Sequence, residues 1–245
     1  MREQSTVLKL LRAVYRPRTR RVVAWLRWRL VDAELRSAVD LVCRSGAFDG
    51  ESYARRYPDT VGVCDRPLDH YVKYGLWEDR DPGPLFNCAH YREQVGHTTT
   101  LPAILHYVLV GDDAGRSPNW LFDASWYRQR YMRDDGSSRT ALCHYLAHHR
   151  QRRLWTHPLF DSSWFAERYA HRIPRRTSPL AFYLGTEGAW RLAPNPLFEP
   201  EWYLRNHSIA STEPLRHYIE HGDPMGLAPH PLVSGRRLSL LAEEH

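Results

Sequence analysis

The chain has 245 residues, of which 42% are hydrophobic and 12% aromatic, and its formal net charge is +6. This composition excludes a disordered chain, and the length suffices for one large domain or two small ones. No apolar run approaches the ~18 residues of a membrane-spanning helix. The cysteines show no CxxC spacing, which favours a reducing compartment over zinc or disulfide chemistry.

The net positive charge of the chain lies in its first 46 residues. Residues 1–36 contain ten Lys or Arg and three acids, a net +7, so the rest of the chain carries −1. Residues 19–45 predict a helix that begins after Pro17 and ends at Gly46. Its apolar face follows heptad spacing and comprises Trp28, Val31, Leu35, Ala38 and Val42. Residues 1–46 are therefore a basic amphipathic N-terminal helical segment.

Three interpretations of this segment compete. It can cap the first unit of the following domain, with its basic face in solvent. It can lie on an anionic membrane surface, because Trp on one side and Arg on the other is typical of interfacial helices. Nucleic-acid binding is weakly indicated, since no reader module accompanies the charge. The residues predicted to contact a membrane are Arg20, Arg21, Trp25, Arg27, Trp28 and Arg29.

Residues 47–233 contain five copies of one pattern. The copies begin at Phe48, Phe86, Phe122, Phe160 and Phe198, with spacings of 38, 36, 38 and 38. Each first phrase continues with an acid or Asn and has an aromatic residue five positions after the Phe. The second phrases read PLDHYVKYG, AILHYVLVG, ALCHYLAHH, PLAFYLGTE and PLRHYIEHG. A fixed period of this size predicts a repeat architecture.

Each phrase predicts a short helix. The acid or Asn stands where an N-cap is wanted, Pro200 takes the first helical position, and Ser178-Pro179 and Glu213-Pro214 start second helices. Gly75, Gly111 and Gly222 are expected to end the second helices in a left-handed conformation. Helices of ~10 residues cannot bury an aromatic face alone, so we expect each Phe to pack against an adjacent repeat.

The predicted fold is therefore all-α. It is a solenoid-like array of five helical hairpins of about 38 residues, preceded by the basic amphipathic helix. The predicted domains are the N-terminal segment (1–46), the repeat domain (47–233) and a C-terminal tail (234–245).

The pattern F-D-x-x-W/Y-Y, followed by P-L-x-H-Y, a Gly and a Pro-rich link to the next PLF-D, resembles the repeats that flank bacterial glycosyltransferase and polysaccharide-assembly domains. The resemblance covers residues 47–233 and departs from the pattern at Phe182, in place of His, and at His149, in place of Gly. It implies cell-surface glycan synthesis, with glycosyltransferases or polysaccharide exporters as partners. It transfers no active site. The expected location is cytoplasmic, peripheral to the inner membrane if the N-terminal helix binds lipid.

Two clusters could hold a metal ion. Asp79-Arg80-Asp81 has the DxD spacing of many glycosyltransferases, but it lies in a link whose next copy reads Gly-Arg-Ser. His144 and His148 are four apart on a predicted helix. Phe182 fills the position of His144 in the fourth repeat, which indicates a packing position. No catalytic, cofactor or metal residue is therefore predicted.

Tryptophans in the links admit a binding role. Trp77, Trp155 and Trp190 follow the HY or FY position by seven, eleven and eight residues and could stack on sugars. Alternatively, they fill gaps between repeats. The sequence favours a non-enzymatic scaffold or accessory protein of surface-polysaccharide assembly, with a carbohydrate-binding module using these tryptophans as the alternative. A third hypothesis, an enzyme with a site between repeats, has no positive indication.

Overall fold

The computed structural model describes residues 40, 42, 43, 45–60, 64, 66–96, 99, 101–133, 140–210 and 213–233. These residues form ten α-helices and no named strand, which confirms the all-α class. The chain divides into two compact units, residues 1–118 with repeats 1 and 2, and residues 119–245 with repeats 3 to 5. In the described part, no helix combines the length and the apolar character needed to cross a bilayer.

The N-terminal helical segment is described only at its end. Residues 40, 42, 43 and 45 are helical, and Gly46 follows with φ +66°, as predicted for the helix stop. Val42, the last residue of the predicted apolar face, is fully buried. The other residues of that face, and all six predicted membrane-contact residues, lie outside the described residues.

In the N-terminal unit, the second helix of each repeat continues directly into a π-helical turn. Repeat 1 comprises α1 (Gly50–Arg56), a 3-10 turn (Pro58–Thr60), α2 (Pro67–His70) and a π turn (Tyr71–Gly75). Repeat 2 comprises α3 (Cys88–Val95), α4 (Ala103–His106) and a π turn (Tyr107–Gly111).

In the C-terminal unit, the second helices are of two kinds. Repeats 3 and 4 have second helices without a π turn, and repeat 5 has one with it. Repeat 3 comprises α5 (Ala124–Tyr131) and α6 (Ala141–His148). Repeat 4 comprises α7 (Ser162–Arg168), α8 (Pro179–Gly185) and a 3-10 turn (Ala189–Arg191). Repeat 5 comprises α9 (Pro200–Asn206), α10 (Pro214–His217) and a π turn (Tyr218–Gly222).

The first helices begin at the predicted N-caps. In repeats 1 to 4 the side-chain oxygen of the cap residue accepts one or two hydrogen bonds from backbone N–H groups of the first turn; the cap residues are Asp49, Asn87, Asp123 and Asp161. Glu199 makes no such bond, so the prediction of a side-chain cap is wrong in repeat 5. There Pro200 contributes a residue without an N–H at the first position, which leaves one donor fewer to satisfy.

Each repeat is closed by a backbone hydrogen bond between its first and last segments. The N–H of the cap residue donates to a carbonyl in the link that ends the same repeat. The five pairs are Asp49 to Pro82 (2.9 Å), Asn87 to Pro118 (2.9 Å), Asp123 to Thr156 (2.8 Å), Asp161 to Pro194 (3.2 Å) and Glu199 to Pro229 (3.1 Å). The link therefore returns to the start of its own repeat before the next repeat begins.

The core of each repeat is a cluster of three aromatic rings. In repeat 2, the ring centroid of Phe86 lies 5.5 Å from Tyr91 and 5.4 Å from Tyr107. All three side chains are fully buried. These ring contacts lie within one repeat, where we expected the Phe to face a neighbour. The reason is local: the Phe directly precedes the N-cap, so the helix that follows presents Tyr91 to it.

Successive links contact each other in the C-terminal unit. Thr156 Oγ1 donates to the Leu121 carbonyl at 3.0 Å, and Asn195 Nδ2 donates to the Leu159 carbonyl at 2.8 Å. Both donors are buried. Neighbouring repeats in this unit are therefore joined by hydrogen bonds between their links.

Candidate functional site

The histidine of the HY phrase is bound to the tyrosine of the first helix. Tyr91 Oη lies 2.6 Å from His106 Nδ1, and three other repeats have the same pair: Tyr53–His70 (3.1 Å), Tyr127–His144 (2.7 Å) and Tyr203–His217 (2.9 Å). Burial, with Arg92 and Arg116 nearby, lowers the pKa of His106, and burial raises the pKa of Tyr91. Both groups are therefore neutral at physiological pH, and the bond joins two helices.

Repeat 4 replaces both members of this pair together. Phe165 takes the place of the tyrosine and Phe182 that of the histidine, and their ring centroids are 6.3 Å apart. Neither phenylalanine leaves a polar group unsatisfied. The predicted packing role of the histidine position is thus confirmed, and the hydrogen bond explains why the two positions change together.

The glycines after the HY phrase are required by this tyrosine. A Cβ built on Gly111 would lie 1.8 Å from Tyr91 Oη, and one on Gly75 would lie 2.2 Å from Tyr53 Oη. Neither of these glycines has a positive φ, nor has Gly222 of repeat 5, so the predicted left-handed helix stop is wrong at all three positions. The left-handed residues come four positions later, at Asp79 (φ 50°), Gly115 (φ 72°) and Gly226 (φ 68°).

Asp79, the first acid of the DxD sequence, links repeats 1 and 2. Its Oδ1 accepts from the Ala103 N–H at 2.7 Å, which gives α4 the side-chain cap that Pro102 cannot provide. Its Oδ2 pairs with Arg92 Nε at 2.7 Å. The carboxylate therefore has two structural partners from the next repeat.

The other two residues of the sequence are also engaged. Asp81 Oδ1 accepts from the Cys88 N–H at 2.7 Å, at the start of α3, and Asp81 Oδ2 pairs with Arg56 at 3.0 Å. Arg80 forms two bonds to Asp59, of 2.9 and 2.8 Å. The spacing of the two acids thus serves two separate helix starts, and the sequence could not show this because the partners are distant along the chain.

The histidines proposed as a metal pair lie close to each other. The ring centroids of His144 and His148 are 4.7 Å apart, but His144 Nδ1 is already bonded to Tyr127. Among the described residues, no group of three or more His, Cys, Asp or Glu side chains is arranged to hold a metal ion. His144 therefore belongs to the contact between α5 and α6, and His148 packs against it from the same helix.

The three link tryptophans predicted to bind glycan occupy different settings. Trp77 is 45% exposed and follows the π turn of repeat 1. Trp155 is partly buried, and its backbone N–H donates to Tyr131 Oη at 3.2 Å. Trp190 is partly buried in a 3-10 turn, with the Arg191 guanidinium 5.0 Å from its ring. Of the three, Trp77 presents the largest accessible ring, and it lies in the N-terminal unit.

A second set of tryptophans has a more regular placement. Trp126, Trp164 and Trp202 stand one residue before the core aromatic of α5, α7 and α9, all in the C-terminal unit. Each lies edge-on to the aromatic five residues later, at 6.0, 6.1 and 6.0 Å. All three are partly buried. The sequence already shows these tryptophans at the same position of three repeats, but the prediction chose the tryptophans of the links instead.

The last repeat carries a shallow hollow lined by charged side chains, which are Glu213, Arg216, His217, Glu220 and His221. Arg216 pairs with Glu220 at 2.8 Å and with Glu213 at 3.3 Å. Two carboxylates share one guanidinium, so Arg216 neutralises the acids of the hollow only in part.

Comparisons of the chain with protein-family models, with curated proteins and with solved structures find no match.

Proposed function

We propose that the five repeats stack as a solenoid-like array of helical hairpins, preceded by the basic amphipathic helix, and that the protein is a non-enzymatic scaffold or accessory in bacterial cell-surface polysaccharide assembly. A binding role is supported by the observation that the polar side chains of the repeats have structural partners. The DxD acids cap helices, and the histidines of four repeats bond to core tyrosines. Side chains of the types that catalysis uses thus stabilise the fold, within the repeats and between repeats 1 and 2.

The polysaccharide setting is supported by the resemblance of the repeat phrases to those beside glycosyltransferase and polysaccharide-assembly domains. Its partners would be glycosyltransferases or polysaccharide exporters at the cytoplasmic face of the inner membrane. The N-terminal segment would hold the protein there through Arg20, Arg21, Trp25, Arg27, Trp28 and Arg29.

The scaffold role is tested by crosslinking the full chain in native cells and identifying captured proteins by mass spectrometry. An unrelated helical-repeat protein, expressed at the same level, is the control bait. We expect enrichment of glycosyltransferases or exporters over that control. Capture of nucleic-acid enzymes alone, or of nothing above the control, would contradict the scaffold.

The non-enzymatic part of the proposal has a separate test. Purified protein is incubated with nucleotide sugars with and without Mn²⁺, beside the Asp79→Asn variant. We expect no turnover in any sample. Metal-dependent turnover that Asp79→Asn abolishes would assign an enzyme instead.

Membrane attachment is tested with vesicles containing anionic lipid. The full chain is expected to sediment with them at low salt, and Arg20→Gln/Arg21→Gln/Arg29→Gln to remain in the supernatant, since anionic lipid attracts exposed basic residues. Equal sedimentation of both proteins would exclude these arginines as the anchor.

The alternative function, carbohydrate binding, is favoured by the exposure of Trp77. An indole that is 45% exposed can stack on a sugar ring. Trp77→Ala should then remove the fluorescence change that oligosaccharides induce. Tyr74→Ala is a matched control, because Tyr74 is an exposed aromatic three residues earlier, 46% accessible.

A further inference from the structure

The C-terminal unit carries a second concentration of positive charge. Residues 150–176 contain seven arginines and two acids, a net +5, although the chain beyond residue 36 totals −1. The expectation that the basic character belongs to one end of the chain is therefore incomplete. All seven are exposed, and the six that lie in two loop segments form a surface that we call the basic patch: Arg150, Arg152, Arg153, Arg172, Arg175 and Arg176.

The patch is assembled from two segments of neighbouring repeats. Residues 150–153 begin the link after α6, and residues 172–176 belong to the loop between α7 and α8. Arg150 Nη2 donates to the Arg175 carbonyl at 2.8 Å and so fixes the two segments together. Because this bond uses a carbonyl, it leaves the positive charge of both side chains uncompensated.

The patch is poor in neutralising partners. Arg153 approaches Glu167 at 3.4 Å, but both side chains are highly exposed, 82% and 71%, and water screens such a pair strongly. Arg152, Arg172, Arg175 and Arg176 have no acidic partner within the described residues. In the N-terminal unit, by contrast, Arg80 is paired with both Asp59 and Glu78.

The distribution of these charges indicates an extended anionic ligand. Guanidinium groups bind carboxylate and phosphate oxygens in bidentate geometry. The arginines are spread over two loops and do not line the charged hollow of repeat 5. A ligand that uses several of them must carry anionic groups at intervals along its length.

The neighbouring side chains favour a glycan over a lipid surface. The strongly exposed large apolar residues of the described chain all lie outside the patch: Tyr74, Trp77, Val110, Met225 and Leu232. The patch therefore lacks side chains that insert into acyl chains. Two partly exposed indoles stand between its two segments in the sequence, Trp155 in the link and Trp164 in α7, and indoles stack on flat apolar faces such as those of sugar rings.

We propose that the basic patch binds an acidic polysaccharide through its carboxylate groups. The choice of a glycan among polyanions rests on the proposed function, whereas the anion binding rests on the arrangement of the arginines alone.

The test titrates the purified full chain with a polygalacturonate oligosaccharide, a linear polymer of uronic acids. Neutral dextran of the same length, single-stranded DNA and anionic vesicles are titrated in parallel. The patch variant is Arg152→Gln/Arg175→Gln/Arg176→Gln, which keeps the bond between Arg150 and the Arg175 carbonyl. The control variant Arg20→Gln/Arg21→Gln/Arg29→Gln removes the same charge from the N-terminal segment.

We expect polygalacturonate to bind, dextran not to bind, and the Kd of the patch variant to rise about tenfold, since three exposed charge pairs with the ligand are lost. The control variant should keep most of its affinity. The patch variant should unfold at the same temperature as the wild type, because all three substituted residues are exposed. That result excludes misfolding as the cause of weaker binding.

Three results would overturn the proposal. The first is loss of polygalacturonate binding in the control variant but not in the patch variant. The second is DNA or vesicles binding through the patch at least as tightly as the uronate polymer. The third is no binding of polygalacturonate at all. None of these results depends on the crosslinking experiment. A failure of the scaffold proposal can therefore be distinguished from a failure of the basic-patch proposal.

Discussion

Replacing Gly111 with alanine tests the central contact of the repeat. The added Cβ would lie 1.8 Å from Tyr91 Oη, whereas real Cβ contacts are essentially never shorter than 3.0 Å. The tyrosine hydroxyl must therefore move by at least ~1.2 Å. Tyr91 Oη also bonds to His106 Nδ1 at 2.6 Å, so a shift of this size breaks the hydrogen bond between α3 and α4.

Three contributions set the size of the effect. Overpacking a well-filled core costs about 1–3 kcal/mol, and the lost hydrogen bond about 1 kcal/mol more. Alanine gains about 1 kcal/mol over glycine in a helix. The free energy of unfolding should therefore fall by about 1–3 kcal/mol in Gly111→Ala.

The assay is urea unfolding of four proteins: wild type, Gly111→Ala, Tyr91→Phe and the double variant. Phenylalanine removes the atom nearest the new Cβ, so Gly111→Ala should cost about 1–2 kcal/mol less in the Tyr91→Phe background. A stabilising Gly111→Ala, or an equal cost in both backgrounds, would show that the hydroxyl is not what excludes a side chain there.

Three further predictions concern other repeats. Phe165→Tyr should lower the free energy of unfolding by about 1–2 kcal/mol, because the added hydroxyl meets Phe182 and has no hydrogen-bond partner. Adding Phe182→His should restore most of this loss, and a denaturant series that shows no restoration would contradict the pairing. Asp79→Ala should lower the free energy of unfolding by about 2 kcal/mol in the same assay, because α4 loses its cap and Arg92 its ion pair. Mn²⁺ should change the stability of neither the wild type nor the variant, and a metal-dependent stability would contradict the structural role. Burial lowers the pKa of His157 from 6.5 to about 4, so the unfolded state takes up a proton first. The free energy of unfolding should therefore fall by roughly 1–3 kcal/mol as the pH drops from 6.5 to 4. His157→Asn, which copies the residue of two other links, should flatten this pH profile.

The sequence predicted those features that depend on neighbours along the chain. The period, the helix pairs and the N-caps at Asp49 and Asp161 are local, and the structure has them. The replacement of histidine by Phe182 correctly indicated a packing position. It did not reveal the hydrogen bond, because the tyrosine partner belongs to the other helix of the repeat.

The errors concern contacts across greater distances. Gly75 and Gly111 were given a left-handed role because a glycine after a helix usually has one. Here glycine is required because the tyrosine hydroxyl of the other helix occupies the space. A Cβ would lie 2.2 Å from that hydroxyl at Gly75 and 1.8 Å from it at Gly111. The patch was missed for a similar reason. Arg150 and Arg175 lie 25 positions apart, and only the fold makes them neighbours.

The bond that closes each repeat has a consequence for how the gene can change in length. Its donor and its acceptor lie in the same copy, as in Asp123 and Thr156. An unequal recombination that adds or removes one whole copy of about 38 residues therefore preserves every such bond. Close relatives of this protein should accordingly differ in length by whole repeats, with shorter changes confined to the loop between the two helices of a repeat.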